Sequence, residues 1–114
     1  MSFARKKLGA EGEDLAFEYL TKKGYELIGR NVRLFCGEID LLMQDKKTLV
    51  LVEVKTKSNR EYGLAEEKVN YQKQRKLLTL ARALTCKYPN DSVRIDVVAI
   101  NGQEINHIIN AVEG

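Results

Sequence analysis

The chain is poor in the residues that most often announce chemistry in a short sequence. It has one histidine, one proline and two cysteines in 114 residues. Cys36 and Cys86 stand far apart without a CxxC spacing, and the lone His107 lies elsewhere, so no zinc site can be assembled from soft ligands. Both cysteines read as free thiols and His107 as a surface or strand residue. No apolar run approaches the ~20 residues that span a bilayer, and the opening MSFARKKLGAEGED lacks the apolar stretch of a signal peptide. A cytoplasmic protein without a membrane partner is therefore expected. The scarcity of proline, with 44% apolar and 31% charged residues, describes an ordinary packed chain rather than a disordered or fibrous one. A chain this short builds one core, so one domain over residues 1–114 is expected.

Charge of one sign is also in short supply overall, since the net charge is only +3. Its distribution says more. Residues 1–90 hold 18 Lys and Arg against 12 Asp and Glu, and residues 91–114 hold one against four. The positive charge lies where the motifs described below lie, which suits a polyanionic partner and equally suits a solvated surface.

No repeat, linker or low-complexity tract interrupts the chain. From about Ser2, a plausible N-cap, to Lys23, the residues Leu8, Gly12, Leu15, Ala16, Tyr19 and Leu20 recur at helical spacing, and Gly24 is placed to end the helix. Tyr25 to about Leu34 reads as extended. EIDLLMQ after Gly37 and TLVLVEVKTK after the polar step at Asp45, Lys46 and Lys47 are rich in β-formers and read as a hairpin. Ser58 to Leu64 reads as a loop. A second helix is expected over Ala65–Lys87, with Val69, Leu77, Leu80, Ala81 and Leu84 on one stripe, ending before Pro89. Val93 to Ile100 is β-rich, Asn101-Gly102 is a turn, and Glu104 to Ile109 can return as a short strand. The strand, helix, strand passage predicts a crossover that sets the last long strand parallel to the Lys55 strand. The fold class is α/β, with a mixed sheet flanked by two helices that can both cover one sheet edge.

Acidic residues are depleted from strands, yet Glu38, Asp40 and Glu53 fall inside the two most strand-like segments. Closing the hairpin symmetrically sets Gln44 opposite Leu49, Asp40 opposite Glu53 and Glu38 opposite Lys55. Opposed residues have Cβ atoms about 4.5–5.5 Å apart, where two like charges repel unless something positive lies between them. A divalent cation with oxygen ligands suits that place, and Mg²⁺, or Mn²⁺ in its stead, takes one or two carboxylates and leaves room for water and a phosphate oxygen. An ordinary exposed face, with Glu38 paired to Lys55 and the other acids solvated, accounts for the same spacing. Two helical residues bear on the choice. Glu13 lies at the margin of the first helix's apolar arc, where Gly9, Gly12 and Ala16 allow close backbone approach. Lys73 falls on the apolar stripe of the second helix, where its head must reach a cleft or water.

GAEGEDLA at 9–16, RNVR at 30–33, GEIDLL at 37–42, VEVK at 52–55 and RIDVVAI at 94–100 together resemble the YraN-like family over nearly the whole chain. That family comprises small bacterial proteins predicted to be endonucleases and similar to archaeal Holliday-junction resolvases, within the restriction-endonuclease-like superfamily. The resemblance implies an αβββαβ core carrying an acidic residue followed by Glu or Asp, any residue, and Lys. Asp40, Glu53 and Lys55 match these three positions, with Ile39 in place of the proline that often precedes the first acid. It also suggests Glu13 as a fourth acidic group and Lys73 as a basic residue bordering the site.

The expectation that follows is metal-dependent hydrolysis of phosphodiester bonds in nucleic acid, with structured or branched DNA in first place. Asp40, Glu53 and the Val54 carbonyl would hold the cation, Glu13 would hold a second one or a water-bridged shell, and Lys55 would orient or deprotonate the attacking water. Arg30, Arg33, Lys57, Arg60, Lys73, Arg75 and Lys76 are the expected contacts to nucleic acid, positioning phosphates without reading sequence. Symmetric cutting of two strands would call for a homodimer. The rival expectations are a non-cleaving nucleic-acid-binding module on the same fold, accessory to recombination or repair, and a structural domain with a charged sheet face.

Overall fold

The computed structural model of the chain describes residues 3–57 and 63–113. Helix α1 (Phe3–Lys22) is followed by strands β1 (Glu26–Leu34), β2 (Gly37–Asp45) and β3 (Thr48–Lys57), a single 3-10 turn (Ala65–Lys68), helix α2 (Tyr71–Lys87), and strands β4 (Ser92–Asn101) and β5 (Glu104–Ile108). The sheet runs β1-β2-β3-β4-β5. Only the β3/β4 pair is parallel, so the sheet is mixed, as the strand, helix, strand passage requires. This α/β arrangement of five strands and two helices is compatible with a restriction-endonuclease-like core. The N-cap expected at Ser2, and residues 58–62 of the expected loop, lie outside the described residues.

The central strands are apolar on both sides, because a sheet covered by a helix on each face needs near-continuous runs such as LVLV rather than strict alternation. Leu41, Met43, Val50, Val52, Val98 and Ile100 pack with Ala16 and Leu20 of α1. Leu42, Leu51 and Ile95 pack with Leu77, Leu80 and Leu84 of α2. The two helices thus lie on opposite faces and do not jointly cover one edge. Burying both faces of these strands leaves each helix a face of its own. Two details of the helices also differ from the sequence reading. Leu15 is exposed, and Phe17 packs against the core in its vicinity. The expected helix over Ala65–Lys87 is broken, because the Asn70 side chain accepts the Lys73 N–H at 3.0 Å and caps α2 there. An Asn at that place satisfies one of the orphan donors of the first turn, which a continuous helix would not need.

α1 sits unusually close to β3. A Cβ on Gly12 would come within 2.1 Å of Thr56 Cγ2, so only glycine fits, as the small residues in its sequence suggested. That approach sets the next residue, Glu13, beside the end of β3.

The far end of the sheet is tied by a buried polar cluster that the sequence did not disclose. Asp96 is fully buried and accepts from Arg94 Nε (2.8 Å) and the Asn110 N–H (3.0 Å), and it lies 2.7 Å from His107 Nε2. Lys23 Nζ lies 3.1 Å from His107 Nδ1, so the imidazole accepts at Nδ1 and donates to Asp96 from Nε2. Arg94 also reaches the Tyr25 hydroxyl (2.8 Å) and Asp45 (3.3 Å), joining α1's exit, the β2–β3 turn, β4 and β5. His107 is therefore a strand residue with a buried ring, not a surface one.

Burial on its own would raise the Asp96 carboxyl, but the hydrogen bonds from His107, Arg94 and Asn110 outweigh it and hold the group below its ordinary value. A carboxylate depressed in the folded state contributes stability that is complete above its unfolded pKa of about 3.9 and is lost as pH falls through the folded value. Thermal melts of the wild type should therefore drop below about pH 4. Asp96→Asn should be less stable by about 3 kcal/mol near neutrality, because Arg94 loses its counter-charge, and its melts should be flatter below that pH. An unchanged acid limb in the variant would remove Asp96 from this role.

Candidate active site

Asp40 occupies a break in the sheet. The β2/β3 ladder runs from Asp45↔Thr48 through Gln44↔Leu49 to Leu41↔Val52 and stops one step short of Asp40 and Glu53. The register is the one the symmetric hairpin requires. Alternation also fails at this residue. Ile39 packs in the cluster under α2, whereas Leu41, two positions on, packs in the cluster under α1. Across the sheet, Arg30↔Leu41 and Val32↔Ile39 place Asn31 beside Asp40, and Asn31 has φ 51°, a left-handed conformation that Asn tolerates better than most residues. The backbone of both strands is thus irregular at the level of Asp40. In place of a backbone partner, the Val54 N–H donates to Asp40 Oδ2 at 2.9 Å.

Glu53, the next residue towards the site on β3, is only 3% exposed. Its Oε1 lies 3.0 Å from Lys73 Nζ and 3.4 Å from Lys55 Nζ. Lys73 therefore leaves the apolar stripe of α2 to meet a carboxylate, not to reach open water. Burial raises the Asp40 carboxyl most, the negative charge of Glu53 adds to it, and that of Glu13 adds a smaller amount. The Val54 N–H and the Lys73 charge oppose them, and the balance is pushed up to about 7. Glu13 comes from the opposite face of the sheet, with Oε1 3.1 Å from the Asn31 amide nitrogen. The same amide reaches Glu38 Oε1 at 3.4 Å.

Asp40, Glu53, Val54, Lys55, Lys73 and Glu13 are thus brought together from β2, β3, α2 and α1. Glu38 does not pair with Lys55. It is held at 3.1 Å by Arg33, the residue directly opposite it on β1, and shares the Asn31 amide with Glu13. Of the expected nucleic-acid contacts, Arg30 is bound to Asp14 at 2.7 Å and lies over the Phe17 ring, so α1 already occupies it. Arg75 is exposed on the outer side of α2 and donates to the Tyr71 hydroxyl at 3.0 Å. Lys76 is exposed one turn from Lys73, and Lys57 closes β3 opposite Asn101. Arg60 lies outside the described residues. Asn31 was missed by the sequence reading. Its signal was its presence in an extended stretch from which Asn is normally depleted.

Among the described residues no group of three or more His, Cys, Asp and Glu side chains forms a metal-binding cluster. The oxygen donors at this edge are the two carboxylates and the backbone of β3. A family model described as "Uncharacterised protein family UPF0102" matches residues 12–100. The chain belongs to that family. It is 46% identical over 112 residues to a UPF0102 protein of Thermodesulfovibrio yellowstonii, covering 95% of this chain and 97% of the relative. It is 43% identical to one of Herminiimonas arsenicoxydans, covering 96% and 90%, and 41% identical to one of Persephonella marina, covering 90% of each. The UPF0102 match spans Glu13, Asp40, Glu53, Lys55 and Lys73, so every residue of the cluster lies inside it.

The two acids of this UPF0102 site are balanced differently, and their amide variants should separate. A carboxyl raised in the folded state favours folding below its unfolded pKa, and that advantage is lost as pH rises through the folded value. In chelator-treated protein the wild type should lose stability between about pH 4 and 7, whereas Asp40→Asn should not, leaving it as stable or more so above pH 7. Glu53→Gln strands Lys55 and Lys73 and should cost about 1–2 kcal/mol, discounted because both lysines are partly exposed. Equal melting curves for both variants from pH 4 to 8 would contradict this division.

Proposed function

We propose that this UPF0102 protein is a metal-dependent endonuclease that hydrolyses phosphodiester bonds, with structured or branched DNA as its substrate. The observation that carries the reading is the opening of the sheet at Asp40, where a second carboxylate, Glu53, and two lysines converge beside an unladdered strand edge. An ordinary charged sheet face gives no reason for such an opening, and burying one of the acids there is costly.

The donors suit a hard cation. Mg²⁺ binds through one or two carboxylates and keeps several waters, and these donors are all oxygen. Asp40, Glu53 and the Val54 carbonyl would hold it. In a strand the N–H and C=O of one residue point to the same neighbour, so the Val54 carbonyl faces the same side as the N–H that meets Asp40. Once bound, the cation supplies Lewis acidity to a phosphate oxygen and makes a neighbouring water a better nucleophile. The remaining work falls to the chain. Lys55 presents an ammonium beside Glu53, where it can orient the attacking water and meet charge that grows on the phosphate. Lys73 holds Glu53 in place from α2, and Glu13, fixed by Asn31, adds negative charge behind Asp40. Arg33 and Lys76, both exposed, offer phosphate contacts.

One observation favours the non-cleaving module. Lys55 and Lys73 already neutralise Glu53 directly, a balance that needs no cation. Cleavage of labelled branched, flapped, single-stranded and duplex substrates with Mg²⁺ or Mn²⁺, and binding to the same panel with Ca²⁺, distinguish the two. Lys55→Met keeps the aliphatic stem and should lose on the order of 10² to 10³ in rate with binding little changed, as removal of a preorganised charge does. Mg²⁺ should raise the melting temperature of the wild type and not of Asp40→Asn, since a ligand of the native state stabilises it. Tight binding without cleavage of any substrate would assign the module. Undiminished cleavage by Lys55→Met would assign the chemistry to another site.

A further inference from the structure

Phe35 is the least covered large apolar side chain among the described residues, at 95% exposure. It stands at the tip of the β1–β2 hairpin, between Leu34 and Gly37, which pair across the turn. The tip is anchored on both sides of the ring. Leu34 and Cys36 turn inward and pack against the cluster under α2. Gly37, at φ +149°, lies so near α2 that a Cβ there would come 3.3 Å from Lys76 Cε and 3.4 Å from Leu80 Cδ2. The ring is thus presented outward on a fixed support.

Its surroundings are charged rather than apolar, with two cations, Arg33 and Lys76, against one carboxylate, Glu38, which pairs with Arg33 at 3.1 Å. Arg33, with 80% of its side chain exposed, precedes it on the hairpin, and the exposed Lys76 lies on the adjoining turn of α2. A protein partner would call for several apolar anchors in a packed pocket, and Leu34 and Cys36 are turned away from solvent. A single ring beside cations matches what a nucleobase offers, which is one π-face and a phosphate. Asp40 is five residues along β2 from Phe35, so the two Cα atoms are at most about 18 Å apart. At ~3.4 Å per nucleotide along one strand this is about five steps. In continuous duplex both faces of every base are already stacked, so the ring can be covered only by a base that is unpaired or splayed.

We propose that Phe35 is a stacking platform for an unpaired base, and that it selects substrates carrying such a base within about five nucleotides of the bond held at Asp40 and Glu53. The proposal rests on the nucleic-acid reading of that site and names its substrate class as flaps, branch points and single-stranded ends.

The test uses the full chain in Ca²⁺ at fixed salt. Anisotropy is measured on a continuous duplex and on the same duplex with a five-nucleotide flap, and 2-aminopurine is placed in the flap. Phe35→Ala should weaken flap binding on the order of 10-fold or more, as loss of one base–aromatic stack does, leave duplex binding unchanged and relieve the 2-aminopurine quenching. Phe35→Trp should restore both flap binding and quenching, and Phe35→Leu should restore neither. Equal affinities for wild type and Phe35→Ala, or an equal loss on flap and duplex, overturn the platform. Self-association on sedimentation that disappears in Phe35→Ala overturns it in favour of a contact between copies. Wild-type protein that binds neither oligonucleotide brings down the nucleic-acid reading as well. Binding and Lys55-dependent cleavage that are indifferent to Phe35 bring down the platform alone.

Discussion

The hydrogen bond from the Val54 N–H to the Asp40 carboxylate is the contact on which the site's geometry depends. A regular antiparallel pair would give that N–H a backbone carbonyl from β2, and every donor inside a sheet must find some acceptor. Here a side chain takes the carbonyl's place, so β2 leaves β3 one residue earlier than its register allows. The departure turns Ile39 towards α2 while Leu41 remains under α1, and Asn31 on the neighbouring strand absorbs the mismatch with a left-handed backbone. A cleft edge lined by oxygen results, where an uninterrupted sheet would be closed.

Because the central strands are buried on both faces, the helices arrive from opposite sides and each can deliver one residue to that edge. Gly12 lets α1 approach Thr56 closely enough to set Glu13 near Asp40. Asn70 starts α2 so that Lys73 reaches Glu53 within its first turn. A continuous helix through residues 65–87 would have needed no cap there, and the 3-10 turn before it is part of how the lysine is aimed.

Asp96, fully buried, and Asp40, half-buried beside the buried Glu53, illustrate how surroundings divide structural from chemical roles. Asp96 receives donors from two strands and the chain beyond β5, and it is held ionised as a strut that joins four elements. Asp40 receives one backbone donor and faces two further acids, so burial and repulsion together work against its charge. The α1 helix separates the two places. Glu13 faces one, and Lys23, just past the end of the helix and ten residues further along the chain, faces the other.

Much of this was legible in the residues themselves. Runs rich in β-formers with polar breaks at Asp45–Lys47 and Asn101-Gly102 define the strands and their register, since a turn with few residues admits only one pairing. The family follows from ordered motifs spread along nearly the whole chain. Acids inside LLMQ- and VEVK-like strands marked Asp40 and Glu53, because nothing in sheet formation calls for a charge there. The break at Asp40, the capture of Arg30 by Asp14 and the burial of Asp96 beneath His107 were not legible. Each depends on which backbone donors are left without partners after the sheet and both helices have packed. That is a property of contacts between segments as many as 84 residues apart, as Lys23 and His107 are, and local pattern carries no record of them.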